Sequence, residues 1–358
     1  MDPKAHTRMQ RPAFNRVPSG GRPRWRPLAF VVLALVATAI ASGVALARTT
    51  ATRIGTGVVV IRTTLGYQDA SAAGTGMVLT SSGEILTNNH VIRGATKITV
   101  LIPGTGRAYS ASVVGYDVAD DVALLRVSGA SNLATVTTAE SSKVAVGDRI
   151  TAVGNAGGTG TLSTATGSVT ALQQSIVVND DSGGAARLTG LVGVNANVVA
   201  GDSGGPLLNS AGAVIGMNTA GSTGYVSRYS SDTQAYAIPI AKALSVVRQI
   251  EAGRASTRIH IGATSFLGIQ VGSSLRNSDY TPSGTVIAGV LRGSPAASAG
   301  FSPGDVITAI DGRATSSPNS ITAAILAKKP GTKVTIRLTD SSGVERSTTV
   351  TLTSGPAQ

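Results

Sequence analysis

The sequence predicts a mainly β protein that contains two folded units behind an apolar N-terminal segment. Charged residues make up 13% of the 358 residues and aromatic residues 3%, whereas glycine occurs 44 times. Runs of Val, Ile, Leu and Thr recur between clusters of Gly, Ser and Asn, which is typical of short strands joined by turns. One helical pattern, at residues 239–252, divides these runs into two series. The length suffices for two or three domains.

Residues 1–27 form the most basic part of the chain. They are rich in Pro and Arg and show no hydrophobic periodicity, so we predict a disordered tail. Seven Lys and Arg against one Asp give 7 − 1 = +6, half of the net charge of +12. Because this excess directly precedes an apolar run, it indicates membrane topology rather than nucleic-acid binding. We expect no nucleic-acid partner.

The apolar run at residues 28–47 contains 20 residues without a charge. A helix of that length spans about 30 Å, the thickness of the bilayer core. Two alternatives are a buried globular helix and a signal peptide, since Ala45-Leu46-Ala47 resembles a cleavage site. The run is longer than the ~7–15 apolar residues of a signal peptide, which favours an uncleaved single-pass anchor in the cell membrane. The positive-inside rule then places the tail in the cytoplasm and the rest of the chain outside.

The sequence contains no cysteine. A disulfide framework, a cysteine nucleophile and a zinc–thiolate site are therefore excluded. A location in the cell envelope remains compatible with this composition, because disulfides are optional there.

Short strand patterns fill the first folded unit, which we assign to residues 48–251. Ser81-Ser82-Gly83 and residues 209–212 are typical hairpin turns. The spacing of strands and turns predicts barrels or sandwiches, and a second, similar half begins around Val146. The predicted strands are 58–61, 76–79, 84–87, 97–101, 122–125, 149–153, 213–218 and 235–238.

A helix at 239–252 closes this unit, because its apolar residues recur on one face between Pro239 and Gly253. Residues 252–261 are polar and basic, which predicts a linker. The second unit covers 262–358. Its predicted strands are 266–271, 285–288, 305–310, 333–338 and 347–352, and its predicted helix is 319–328.

The stretch Gly201-Asp202-Ser203-Gly204-Gly205-Pro206 points to chemistry. Its glycines permit a tight turn and keep side chains away from an approaching carbonyl group. The N–H groups of Gly201 and Ser203 could then converge on an oxyanion, with the Ser203 hydroxyl beside it as a nucleophile. The same residues form a plain loop unless a base and its orienting group lie nearby.

His90 is the single histidine of the first unit. A lone histidine is more often a surface or core residue, but this one follows a predicted strand and lies 113 positions before Ser203. That placement suits a base from one barrel that faces a nucleophile from the other. Asp121 directly precedes an apolar strand and is the first choice for the carboxylate that orients the imidazole. Asp120 is the alternative, and Asp117 is interpreted as a turn former.

Three sequence blocks occur in the order His, Asp, Ser, which resembles the chymotrypsin-fold serine proteases. The closer resemblance is to their bacterial HtrA/DegP group. Thr87-Asn88-Asn89-His90-Val91 resembles its TNxHV block, and Asp121-Val122-Ala123-Leu124 resembles its D-[ILV]-A-[VL] block. Residues 262–355 resemble its C-terminal PDZ domain, including the stretches 294–300 and 304–307.

The resemblance implies a chymotrypsin-like double β-barrel, followed by one PDZ domain, that works as a serine endopeptidase without a metal or cofactor. Ser203 would attack a peptide carbonyl, His90 would transfer the proton and Asp121 would hold the imidazole. Backbone N–H groups of Gly201 and Ser203 would form the oxyanion hole. Asn197, six positions before the serine, would be the floor of the substrate pocket. Its neutral side chain argues against Lys or Arg as the P1 residue, and relatives with such pockets favour small or aliphatic ones.

In the PDZ-like unit, Phe266, Leu267, Gly268 and Ile269 would bind the C-terminal carboxylate of a peptide. The peptide would add as a strand beside 268–271, against the helix 319–328. Phe-Leu-Gly-Ile departs from the GLGF-like pattern common in the family, so the preferred peptide sequence stays open. The resemblance also implies unfolded or regulatory protein substrates and a homotrimer.

The sequence leaves two other functions open. One is a peptide-binding or chaperone module with little proteolysis, and the other is a secreted protease of narrow specificity that is released at Ala47. The polar loop at 221–233 is interpreted either as a mobile regulatory loop beside the substrate pocket or as a passive surface loop.

Overall fold

A computed structural model describes residues 54–179, 185–219, 235–272 and 284–357. The predicted tail 1–27, the predicted anchor 28–47 and the polar loop 221–233 lie outside these residues. Within the described ranges, no helix is long and apolar enough to cross a membrane.

The first β-barrel contains six antiparallel strands, and the pairing of its fifth and sixth strands closes it. Each run of adjacent apolar residues serves two cores, because successive side chains of a strand point to opposite faces. In the first strand, Val59 and Ile61 fill the barrel interior, whereas Val58 packs between the barrels. The strands are β1 (Val58–Leu65), β2 (Ala70–Val78), β3 (Glu84–Thr87), β4 (Lys97–Ile102), β5 (Arg107–Asp117) and β6 (Val122–Val127). A one-turn helix, α1 (Asn89–Ile92), follows β3.

The second β-barrel is a closed ring of six strands, which confirms the predicted second half. Its core includes Ile150, Val192 and Leu207. The strands are β7 (Arg149–Gly154), β8 (Ser163–Asn179), β9 (Ala185–Val194), β10 (Pro206–Asn209), β11 (Val214–Thr219) and β12 (Ala235–Pro239). The sequence did not predict β5, β8, β9 or β10.

Helix α2 (Ile240–Glu251) confirms the predicted helix. Its buried residues are Ile240, Ala243, Val246, Val247 and Ile250, which recur at intervals of three and four. They pack with Leu124 of the first barrel and Met217 of the second in one hydrophobic cluster. The helix therefore holds the two barrels together.

The predicted linker 252–261 requires a correction, because its last residues form strand β13 (Ile259–Ile261). This strand pairs with β5, where Ile259 lies opposite Asp117 and His260 opposite Tyr116. The edge of β5 was open to a further strand, and Ile259 is buried there. The polar composition of the segment did not reveal this pairing.

The second unit contains a six-stranded antiparallel sheet, a separate two-stranded sheet and two helices around its own core, which includes Ile287, Phe301 and Ile336. Its strands are β14 (Thr264–Phe266), β15 (Ile269–Val271), β16 (Thr285–Val290), β17 (Val306–Ile310), β18 (Arg313–Ala314), β19 (Lys333–Thr339), β20 (Glu345–Thr351) and β21 (Thr353–Gly355). The helices are α3 (Pro295–Ser298) and α4 (Pro318–Leu326). The predicted strand 266–271 is interrupted at Leu267 and Gly268, where Gly268 has a φ of +83°.

Candidate active site

His90 lies on α1, directly after β3, and the Asp121 carboxylate binds it twice. The His90 backbone N–H donates to Asp121 Oδ1 at 2.9 Å, and His90 Nδ1 lies 2.8 Å from Asp121 Oδ2. The His90 side chain is 42% exposed and the Asp121 side chain 10% exposed. One carboxylate therefore fixes both the position of the histidine and the orientation of its ring.

Asp121 itself is held by groups from both barrels. Asn88 Nδ2 donates to the Asp121 carbonyl at 2.9 Å, and Thr219 Oγ1, from β11, donates to Asp121 Oδ2 at 3.2 Å. The backbone of Asp121 has a φ of +54°, a conformation that Asp tolerates better than most residues. These bonds place the carboxylate at the interface between the barrels, as the sequence predicts.

The other two candidate carboxylates point to different partners. Asp120 forms ion pairs with Lys242 of α2, at 2.8 Å, and with Arg258. Asp117 is buried, accepts the Asp120 N–H at 3.0 Å and lies 3.3 Å from Arg258. Burial raises the pKa of Asp117, and the charge of Asp120 adds to this rise, while Arg258 and backbone bonds oppose it. Neither residue contacts His90 in the described hydrogen bonds.

The pKa of His90 is raised above its ordinary value of 6.5. Desolvation by the surrounding protein lowers this pKa, but the negative charge of Asp121 and its hydrogen bond raise it by more. The imidazolium is therefore stabilised, as a histidine that accepts a proton during catalysis requires.

The loop around Ser203 has every carbonyl bound and alternate N–H groups free. The carbonyls of residues 200–203 accept, in order, Gly157 N at 2.8 Å, Thr75 Oγ1 at 2.7 Å, Gly205 N at 3.0 Å and Thr75 N at 2.9 Å. Asp202 N donates to Val199 O and Gly204 N to Asn218 O. In the described part of the chain, the N–H groups of Gly201 and Ser203 donate to no acceptor. These two groups can bind an anionic oxygen.

The glycines on both sides of Ser203 are required by close backbone approaches. A Cβ atom on Gly201 would lie 2.2 Å from Asn155 O, and one on Gly204 would lie 2.1 Å from Thr75 O. Both glycines also have positive φ values, +98° and +85°. The loop therefore packs directly against both barrels.

Ser203 is buried, and only 5% of its surface is exposed. Its loop bonds to Asn218 on β11, and the next residue, Thr219, binds Asp121. Thr87, three positions before His90, donates to the Thr75 carbonyl at 2.7 Å, and Thr75 binds the serine loop. The fold thus brings the three predicted residues to one interface. Among the described residues there is no hydrogen bond between Ser203 and His90, so the link from the histidine to the serine stays a prediction.

Asn197 lines a cleft of about 380 Å³ together with Val199 and Asp202. Burial raises the pKa of Asp202, and Oδ1 of its carboxylate has no hydrogen-bond partner among the described residues. Because the polar loop 221–233 lies outside the described residues, the role of Asn197 as pocket floor stays a prediction. The described residues contain no cluster of His, Cys, Asp or Glu that could hold a metal ion.

The candidate peptide-binding loop of the second unit lies between β14 and β15. The carbonyls of Leu267 and Gly268 accept Ala296 N and Leu291 N, whereas their own N–H groups donate to no described residue. Strand β15 is at the edge of its sheet. The Phe266 ring stacks on Tyr67, from the turn between β1 and β2, with ring centroids 5.0 Å apart. Phe266 therefore also joins the second unit to the first barrel.

Sequence reasoning missed several residues that hold the site together. Thr75, Asn155 and Thr219 are polar, buried and bonded across the barrels. The available signal was the flanking of Thr75 by Gly74 and Gly76, because glycine inside a strand indicates close packing. A Cβ atom on Gly74 would lie 2.6 Å from the Val91 side chain, and one on Gly76 would lie 2.7 Å from the Ile85 side chain.

Comparison with known proteins identifies both units. Residues 74–217 match the trypsin-like peptidase domain, and residues 265–352 match the PDZ domain. Serine protease PepD of Mycobacterium tuberculosis is 32% identical over 318 residues, which cover 84% of this chain and 65% of that protein. The chain therefore contains a trypsin-like peptidase domain and a PDZ domain, and its homologues are serine proteases of the HtrA/DegP type. The periplasmic pH-dependent serine endoprotease DegQ of Escherichia coli is 34% identical over 282 residues, which cover 76% of this chain and 57% of that protein.

The similarity to these HtrA/DegP-type proteins is partial in length. The chain spans between 52% and 65% of the first three curated relatives that it matches. Among solved structures, the HtrA-type protease AlgW with tripeptide is 28% identical, with a TM-score of 0.48, and the match covers 84% of this chain and 95% of that one.

Proposed function

We propose that this chain is a serine endopeptidase that cleaves misfolded or regulatory proteins through an acyl-enzyme formed on Ser203. The observation that carries the proposal is the pair of hydrogen bonds between the Asp121 carboxylate and His90, at the same barrel interface as the serine loop. The free N–H groups of Gly201 and Ser203 support it, because they provide donors for an oxyanion.

In the proposed mechanism, the Ser203 hydroxyl attacks the substrate carbonyl while His90 Nε2 takes its proton. Asp121 keeps Nδ1 protonated, because its carboxylate can only accept a hydrogen bond there. The N–H groups of Gly201 and Ser203 stabilise the tetrahedral oxyanion, and the imidazolium then protonates the leaving amine. Water repeats these steps on the acyl-enzyme and releases the second product.

Labelling with a fluorophosphonate probe and hydrolysis of an unfolded protein test the proposal. We expect the chain to be labelled on Ser203 and to hydrolyse the substrate, and Ser203→Ala to lose both by several orders of magnitude. Ser210→Ala is the matched control, because Ser210 is an exposed serine in the turn between β10 and β11. Equal turnover by Ser203→Ala and the parent would contradict the assignment. A chain that suppresses aggregation without labelling would support the chaperone alternative.

We also propose that residues 28–47 anchor the protein in the cell membrane with the protease and PDZ domains outside the cytoplasm. The proposal rests on the uncharged run and on the basic residues before it. The chain should stay in the membrane fraction at alkaline pH, and a reporter fused after residue 60 should lie outside the cytoplasm. A soluble chain that begins at Arg48 would establish cleavage instead.

A further inference from the structure

Thr75, on β2 of the first barrel, is fully buried and bonds to the second barrel with its side chain and its backbone. Thr75 Oγ1 donates to Gly201 O at 2.7 Å and accepts the backbone N–H of Asn155 at 2.9 Å. Thr75 N donates to Ser203 O at 2.9 Å, and Thr75 O accepts Thr87 Oγ1 at 2.7 Å. One hydroxyl group thus acts as donor and acceptor between the serine loop and the end of β7.

The Thr75 hydroxyl differs in kind from the other groups that bind the carbonyls of the serine loop. Of the described groups that bind the four carbonyls of residues 200–203, Thr75 Oγ1 is the only side-chain atom. Its acceptor, Gly201 O, belongs to the peptide plane between the two free N–H groups. Because the N–H and C=O groups of a trans peptide point in opposite directions, each bound carbonyl sets the direction of an N–H group.

The peptide plane after Gly201 joins the two planes that carry the free N–H groups, and it is held by Thr75 Oγ1 at its carbonyl and by Val199 O at its N–H. Gly201 has a φ of +98°, and a glycine can reach other conformations at little cost. Without the hydroxyl, both Gly201 O and the Asn155 N–H would lose a buried partner and would favour a rearranged loop. Rotation of this plane changes the angle between the N–H groups of Gly201 and Ser203.

We infer that Thr75 is a positioning residue whose hydroxyl holds the oxyanion-binding loop in its active conformation across the two barrels. The inference rests on the proposed function, since it assigns the free N–H groups to a transition state. It also predicts a purely structural effect, namely that the loss of this one oxygen loosens the loop. The two parts can be measured separately.

The variants are chosen so that one oxygen atom decides the comparison. Thr75→Val keeps the shape of the side chain and removes the hydroxyl. Thr75→Ser and Thr75→Ala are a second pair, which both lose the methyl group, while only the alanine loses the hydroxyl. Thr63→Val is the matched control, because Thr63 is also buried in this barrel and its hydroxyl bonds only within it, to Ala72 O at 3.3 Å.

In the full chain we expect Thr75→Val and Thr75→Ala to lower kcat roughly tenfold, less than the loss of a whole oxyanion donor. KM should change less than about twofold, because the misplaced N–H groups act mainly in the transition state. Thr75→Ser and Thr63→Val should keep kcat within about twofold of the parent. The acid limb of kcat/KM should not move in any variant, because Thr75 does not contact the imidazole or the Asp121 carboxylate.

Hydrogen exchange measured by mass spectrometry gives the second readout. Exchange in the segment 199–206 should rise in Thr75→Val and Thr75→Ala, whereas Thr75→Ser and Thr63→Val should match the parent. If Ser203-dependent activity is absent from the parent, the proposed function fails, and exchange alone still decides the role of Thr75. Equal kcat and equal exchange in the serine and alanine variants would overturn the inference. This pair also decides the question if Thr75→Val does not fold.

Discussion

Asp121 and Asp120 are neighbours in sequence, yet their carboxylates have opposite surroundings. Asp121 meets the imidazole of His90 and the hydroxyl of Thr219. Asp120 meets the cations of Lys242 and Arg258 on the other side of the same turn. Asp121 has a φ of +54° in the turn between β5 and β6, and the two side chains have different partners.

Asp121→Asn should therefore lower kcat/KM by about 10⁴-fold, as the loss of the carboxylate does in a serine protease with a Ser-His-Asp triad. The amide can present its NH₂ group to Nδ1, which favours the wrong tautomer of the imidazole. Asp120→Asn removes the same charge one residue earlier and is the matched control, with an expected loss of less than about tenfold. Steady-state hydrolysis of one peptide substrate measures both variants. The reverse ranking would assign the orienting role to Asp120.

The same pair of variants has a pH signature. Asp121 raises the pKa of His90, so the parent should lose activity, as pH falls, at a pH above that of an ordinary histidine. In Asp121→Asn the pKa of His90 should fall, and titration of the imidazole by NMR should show the shift. An unchanged pKa would contradict the coupling, and Asp120→Asn should leave it near the parental value.

The sequence was sufficient to predict the position of Asp121 at the barrel interface, because a carboxylate directly before an apolar strand can reach it. Thr75 could not be predicted in the same way. Its side-chain partners lie 80 and 126 positions away in the chain, so they meet it only after both barrels have closed. The proposed catalytic residues thus follow from local motifs, whereas the residues that bond to their loops across the barrels depend on tertiary structure.

At the scale of elements, apolar runs predicted the strands that are buried on both faces. β1, β3, β6 and β11 are of this kind. The hairpin of β8 and β9 was missed, because β8 contains many Ser, Thr and Gly residues and resembles a loop in composition. Its register shifts at several points, and cross-strand pairing rather than an apolar pattern defines it.

Strand β13 shows how an available edge can order a polar segment. Its pairing with β5 is reinforced by Arg258, whose guanidinium lies against Asp117 and Asp120. Asp117 is buried, so its charge is costly without a nearby cation. Part of the segment that the sequence predicts as a linker is therefore fixed to the first barrel, next to the turn that carries Asp121.

At the scale of the whole molecule, several contacts join the PDZ domain to the first barrel. Phe266 stacks on Tyr67, and the Tyr116 hydroxyl lies 3.4 Å from Thr264 Oγ1. Gly94 N also donates to Ala357 O at 2.9 Å, near the end of the chain. A short, basic linker without an apolar stripe predicts a PDZ domain that moves relative to the barrels, whereas the structure shows these contacts formed.

We expect a peptide with a free, apolar C-terminus to bind beside β15 and to raise turnover of a separate substrate. The N–H groups of Leu267 and Gly268 are available to its carboxylate, so amidation of the peptide should remove most of the effect. The activation cannot exceed the ratio of the peptide's affinities for the active and the inactive arrangement of the protease, typically about 5–150-fold. Equal activation by the acid and the amide would contradict this route.

Gly268→Ala should abolish binding of the peptide, because a Cβ atom there would lie 2.1 Å from Ser294 Cβ.

Tyr67→Ala then separates binding from activation. Phe266 directly precedes Leu267 and Gly268, and its ring stacks on Tyr67 in the turn that leads into β2. β2 carries Thr75, which binds the serine loop, so a shift of Phe266 can reach Ser203 through one strand. We expect Tyr67→Ala to bind the peptide with an affinity close to that of the parent, measured by calorimetry, while activation falls. If activation survives, the effect of the peptide reaches the barrels through another contact. The ion pairs of Arg258 with Asp117 and Asp120 are then the next to test.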